Sequence, residues 1–349
     1  MLQFNELLDR IKGAPVQTPN LVAIPDNHVF DKRSAPQPFT AGEAYFSIHV
    51  NSLQLEASRM WATTWDPMLM AVTEFNYNGE KITVPFVVGS ELLKVNADIQ
   101  LPSAMLFSET QVAGTHPYRG GSVSLAIILF RVKREDYLKR LLGVIQTTSS
   151  VIDQGTALTQ FVKVGQAVVD GVEALLGDGN TVPVLGMRRE FNPIQGAPFE
   201  PGYFALFSDN PISANSLWVY NSHLWVGSQS ASAEPLTGRD QVVFSIARTV
   251  ERSDAEDLPA FTSLVRTMLR AANVPTTSAW KVAKAHLATL YEELKYSPDI
   301  TSAQADTLYS KYESMALDAK NAAERRAKLA VGESDSDPVL NRAASILVD

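Results

Sequence analysis

Between residues 43 and 132 apolar side chains recur at every second position, and a chain with that period buries them only as strands with one face in a core. Phe46, Ile48 and Val50 alternate with Tyr45, Ser47 and His49. Residues 68–75 and 82–88 flank Asn78-Gly79, a dipeptide that readily supplies two positive φ values, so a β-hairpin is expected there. Pro85 marks its second arm as an edge strand or a bulge. Residues 105–107 and 123–132 form a further β unit. The latter carries Val123, Leu125, Ile127 and Leu129 on one face and becomes apolar on the other as well, which predicts a strand covered on both sides.

The period changes to that of a helix over residues 133–176. Tyr137, Leu138, Leu141, Leu142 and Ile145 share one face, and Phe161, Val164, Val168, Val172 and Leu175 another, with a Thr-Thr-Ser-Ser break between. An αα-hairpin inserted into the β unit and lying on its sheet is the expected form. Strand patterns return at 181–186, 203–207, 216–226 and 241–249. About eight strands joined mostly by short turns favour an antiparallel β-sandwich over a parallel sheet with repeating βα units.

From residue 253 the chain is helical. Ser253 and Glu256 have the spacing of a capping box, as do Thr301 and Gln304, and Pro275 and Pro298 separate three apolar stripes. The expected class is therefore α+β. An N-terminal helix and proline-rich arm (1–42) precede the sandwich with its insertion (43–250), a three-helix module (253–330) and a flexible acidic tail (331–349). Pro15, Pro19, Pro25, Pro36 and Pro38 make the arm an extended wrap or a partner-docking segment.

Composition narrows function by exclusion. A formal charge of −8, with 30 basic and 38 acidic residues, argues against a nucleic-acid partner, because phosphate neutralisation needs clustered cations. The chain has no cysteine, which removes disulfides, thiolate nucleophiles and cysteine metal sites and fits a cytoplasmic setting. No run of eighteen apolar residues is present, so integral membrane insertion is not expected. The five histidines form no helical metal pair, no serine sits in a nucleophile elbow, and no cofactor, metal or catalytic residue is assigned.

Two kinds of residue remain as candidates. His116 and Arg119, in His-Pro-Tyr-Arg-Gly-Gly ahead of a strand, would suit a polar hydrolytic site or would simply shape a loop whose tyrosine packs on the sheet. Trp218 and Tyr220 in the β unit and Phe261, Trp280, Tyr291 and Tyr312 in the helical module are aromatic anchors for a partner, or core. The expected function is a non-enzymatic protein-interaction or assembly component, with a protein partner or self-association. Peripheral membrane contact through the 133–176 hairpin and a hydrolase near His116 are the alternatives.

Overall fold

The computed structural model describes residues 19–30, 37–56, 59–60, 63–89, 104–133, 181–208 and 210–333. Two compact units divide the chain: Met1–Ala41 with Tyr45–Thr249, and Gly42–Ala44 with Val250–Asp349.

The first unit is an antiparallel sandwich. A central sheet has the order β1 (Asn20–Ile24), β9 (Gly202–Phe207), β13 (Gln241–Thr249), β2 (Tyr45–Gln54), β6 (Ala104–Pro117). A second sheet places β4 (Thr63–Tyr77) between β5 (Glu80–Gly89) and β7 (Val123–Lys133), with β8 (Thr181–Phe191) beyond β7 and the short β3 (Arg59–Met60) paired to the start of β4. Phe46, Ile48 and Val50 of β2, Leu69 and Phe75 of β4, Leu125 and Ile127 of β7 and Phe244 of β13 share one core, which makes these two sheets the layers of the sandwich.

Local chemistry explains the joints. Asn78 and Gly79 take φ values of 50° and 79°, closing the β4–β5 hairpin at Tyr77 and Glu80. Both faces of β7 are dry, since Leu125 and Ile127 lie in the shared core while Ile128 and Phe130 on the opposite face are equally buried. Apart from Lys133, the predicted αα-hairpin at 133–176 lies outside the described residues. The proline-spaced arm contributes β1 as an edge strand on β9, a position that tolerates flanking prolines; its predicted helix at 2–11 lies outside the described residues.

A third, smaller sheet of β10 (Leu217–Tyr220), β11 (His223–Val226) and β12 (Glu234–Pro235) packs against the other face of the central sheet. Leu217, Val219, Leu224 and Leu236 meet Ile24, Ala205, Phe207 and Val243 in a second apolar cluster. The alternating run 216–226, expected as one strand, is thus two. Asn221 and Ser222 adopt φ of 47° and 62° and reverse the chain, because a short polar side chain tolerates the left-handed region.

The second unit holds α1 (Pro259–Ala272), α2 (Thr277–Tyr296) and α3 (Ser302–Glu333) around Phe261, Met268, Leu287, Leu290, Leu308 and Tyr312. Thr301 caps α3 as its spacing predicts, its hydroxyl accepting from the Gln304 amide at 3.2 Å. The Ser253–Glu256 spacing serves no such cap. Residues Ala255–Asp257 form a 3-10 turn, and α1 begins after Leu258 because Pro259, already at helical φ and lacking an N–H, occupies the first turn. Gly42 joins this unit through its carbonyl, which accepts from the Ser302 amide at 3.0 Å.

Candidate ligand-binding groove

The β10–β11 hairpin sorts its side chains by parity. Leu217, Val219 and Leu224 face the apolar cluster beneath, so Trp218 and Tyr220 of β10 and His223 and Trp225 of β11 lie on the outer face, with Trp218 directly opposite Trp225. Residues 28–30 run beside β10, held by a parallel bridge between Val29 and Val219 and by the Phe30 amide donating to the Val219 carbonyl at 3.1 Å. That alignment adds two rings to the outer face.

The rings are fixed by their neighbours. His28 stacks on Trp218 with centroids 3.7 Å apart and planes 7° from parallel, while its Nδ1–H donates to the Leu217 carbonyl at 2.9 Å. Phe30 lies 6.1 Å from Trp218 and meets Tyr220 edge-on at 5.8 Å; Tyr220 meets Trp225 edge-on at the same distance. Trp218 Nε1 donates to the Gly227 carbonyl at 3.0 Å, which locks the indole. Together Phe30, Trp218, Tyr220 and Trp225 wall an open groove of about 360 Å³, floored by Ser230, Ala231 and Ala233. Phe30 and Tyr220 are 53% and 46% exposed, an unusual placement for large rings within one cluster.

Among the described residues, none of the groove's lining side chains is charged. On the same face, His223 donates from Nδ1 to the Asn221 carbonyl at 2.8 Å, and burial pushes its pKa below the ordinary imidazole value against that hydrogen bond. Its Nε2 and the Trp225 Nε1 are both enclosed without a hydrogen-bond partner. What the groove offers is ring surface, methyl groups and the hydroxyls of Tyr220 and Ser230.

The other sequence candidates are placed elsewhere. His116 is buried in the sandwich, its ring 4.5 Å from that of Phe75 and 5.8 Å from that of Phe46, whereas Arg119 is exposed on the following loop. Between them Tyr118 packs on Phe199, its hydroxyl donating to the Gly121 carbonyl at 3.4 Å; burial raises its pKa. Gly120 and Gly121 take φ near 80°. In the helical unit Phe261 and Tyr312 are interior, Trp280 is half-buried beneath the Lys320 ammonium, and Tyr291 is exposed against Tyr309.

One pair escapes the sequence analysis altogether. Ser47 Oγ and His49 Nε2 lie 2.8 Å apart on one face of β2, the relation of a nucleophile to its base. Both residues are nearly fully buried, so a substrate has no approach to them in this conformation. Among the described residues no group of three or more His, Asp or Glu side chains could hold a metal ion, and no helix is long and apolar enough to cross a membrane. Comparison with family models, with curated proteins and with solved structures finds no match to this chain.

Proposed function

We propose that this protein is a non-enzymatic binding component of an assembly, and that its β unit docks a protein partner in the aromatic groove on β10 and β11. The observation that carries this reading is the convergence of four rings, two of them about half exposed, on a concave surface with no charged side chain among its described lining residues. Burying such rings on a partner yields much of the affinity of a protein interface, because large aromatics bring area at little entropic cost. Exposed Tyr291 and half-buried Trp280 offer a second, smaller contact surface on the helical unit. A cytoplasmic setting goes with this reading, supported by a sequence with no thiol to oxidise.

The test is a double substitution, Phe30→Ala with Tyr220→Ala, in protein recovered with its partners from the source cell and analysed by intact-complex mass. Both side chains project into solvent, so folding should be unchanged by circular dichroism while the partner is lost. Retention of every partner by the folded variant would overturn the assignment of the groove. Turnover of a substrate by the purified chain alone would overturn the non-enzymatic reading.

A further inference from the structure

We propose that copies of this chain associate head to tail through the helical unit, the cationic end of one three-helix module receiving the acidic end of the next. The contact uses a different surface from the groove and does not depend on it.

Contacts between the helices define the two ends. At one, Arg326 of α3 donates to the Asn273 side chain just past α1 at 3.0 Å, and the Lys320 ammonium lies 5.5 Å over the Trp280 ring near the start of α2. At the other, Lys311 of α3 pairs with Glu256 ahead of α1 at 2.6 Å, and Lys295 in the last turn of α2 pairs with Asp306 at 2.6 Å. Asp306 and Arg326 stand twenty residues apart on α3, about 30 Å along its axis.

Charge divides along that axis. Residues 266–284 and 316–328, at the first end, hold eight Lys and Arg against two carboxylates, Asp318 and Glu324, a formal +6. Residues 251–257, 292–299 and 302–313, at the second, hold nine Asp and Glu against three cations, a formal −6. Each of those three cations already pairs within the module, Arg252 with Asp254 and Asp299, Lys295 with Asp306 and Lys311 with Glu256. From Glu333 to Asp349 the sequence adds four acids and Arg342, and even all of these set against the cationic end leave it positive.

Screening at physiological salt acts over ~8 Å, so the two ends do not cancel within one copy. Between copies they meet directly. Apolar side chains stand among the charges at both: Leu329 is 65% exposed and Val274 and Val282 nearly half exposed at the cationic end, and Tyr296 is 84% exposed at the acidic one. Closing these inside a rim of opposite charges is the layout of a protein interface, and the charges set its orientation. A polyanion such as duplex DNA matches the cations alone; it makes no use of the apolar side chains, and the chain's net −8 repels it. A second copy matches both. Because the two patches differ, the contact is heterologous, and each added copy presents a fresh end, which builds a ring or an open chain.

The experiment is sedimentation velocity of the full chain from about 1 to about 100 μM, at ~50 mM and at ~500 mM salt. The average sedimentation coefficient should climb with concentration at low salt and stay at the monomer value at high salt. Two double reversals on α2 locate the contact: Lys281→Glu with Lys284→Glu, and Glu292→Lys with Glu293→Lys, all at exposed positions. Each variant alone should self-associate at least about tenfold more weakly. Mixed in equal amounts the two should associate again, because each keeps one native end, a recovery that misfolded chains would not show. Phe30→Ala with Tyr220→Ala should leave the association unchanged. A monomer at every concentration in low salt, indifference to salt or to either reversal, failure to recover on mixing, or loss of association in the groove variant would overturn the proposal. A monomer that binds a short DNA duplex, with binding lost in Lys281→Glu with Lys284→Glu, would assign the cationic end to nucleic acid instead.

Discussion

Gly114 and His223 show how much single positions of the β unit are constrained. At Gly114 φ is +100°, and a Cβ there would stand 2.5 Å from the Phe46 carbonyl oxygen and 2.7 Å from Ser47 Cα, backbone atoms that have no rotamer with which to give way. Gly114→Ala should therefore cost about 2–4 kcal/mol, measured as a lower urea midpoint of the tryptophan fluorescence transition. His223 is held neutral by burial, so its folded pKa lies below the unfolded value near 6.5. Above the unfolded pKa the imidazole is neutral in both states and the contribution is whole; as pH falls through 6.5 towards the folded pKa the unfolded chain takes the proton first, and stability is lost. Melting temperatures of the wild type should thus drop more between pH 7 and pH 5 than those of His223→Gln; parallel curves would assign the acid sensitivity to other groups. The outward positions of Trp218 and Tyr220 were legible from parity alone, but His28 and Phe30 were not. His28 binds the Leu217 carbonyl across 189 positions of sequence, and no local pattern encodes a contact at that range.

The hairpin of β10 and β11 is the element on which the groove depends, and its turn was the hardest to see. Asn78-Gly79 announces itself through glycine, whereas Asn221-Ser222 reaches the same left-handed values with two non-glycine residues inside an unbroken alternating run. Without that reversal Trp218 and Trp225 belong to one strand; with it they are cross-strand neighbours. Helix boundaries divide in the same way. The Thr301–Gln304 spacing marks a real cap, and Gln304 also exchanges two hydrogen bonds with the Arg252 backbone at 3.0 and 2.9 Å. Thr301→Ala should lower the stability of the helical unit by about 1–2 kcal/mol, seen as an earlier loss of ellipticity at 222 nm. The equivalent spacing at Ser253 failed because Pro259 set the start of α1 later, leaving Glu256 to pair with Lys311 at 2.6 Å. The last helix, α3, continues to Glu333, and Arg326 Nη2 donates to Asn273 Oδ1 at 3.0 Å within its final turns.

At the scale of the whole molecule, a sandwich and a three-helix module with separate cores should not melt as one. Four of the five tryptophans belong to the β unit and Trp280 alone to the helical one, while α1, α2 and α3 all lie in the second unit. Fluorescence and ellipticity at 222 nm should accordingly give urea transitions that do not coincide. Leu290→Ala, at a fully buried position, should move the second by about 2–4 kcal/mol and leave the first in place. Superimposable curves would show one cooperative block. The switch from period two to helical period falls near residue 253, close to where the second unit resumes at Val250, whereas nothing in the sequence marks Gly42–Ala44 as part of that unit, since three residues carry no periodicity. That tripeptide has a consequence during translation. It leaves the ribosome roughly two hundred residues ahead of the helices that receive it, a delay of about 10–40 s at ~5–20 residues per second. The nascent chain therefore has to complete a sandwich around a short stretch it cannot yet use, and only the last third of synthesis supplies that stretch with its place.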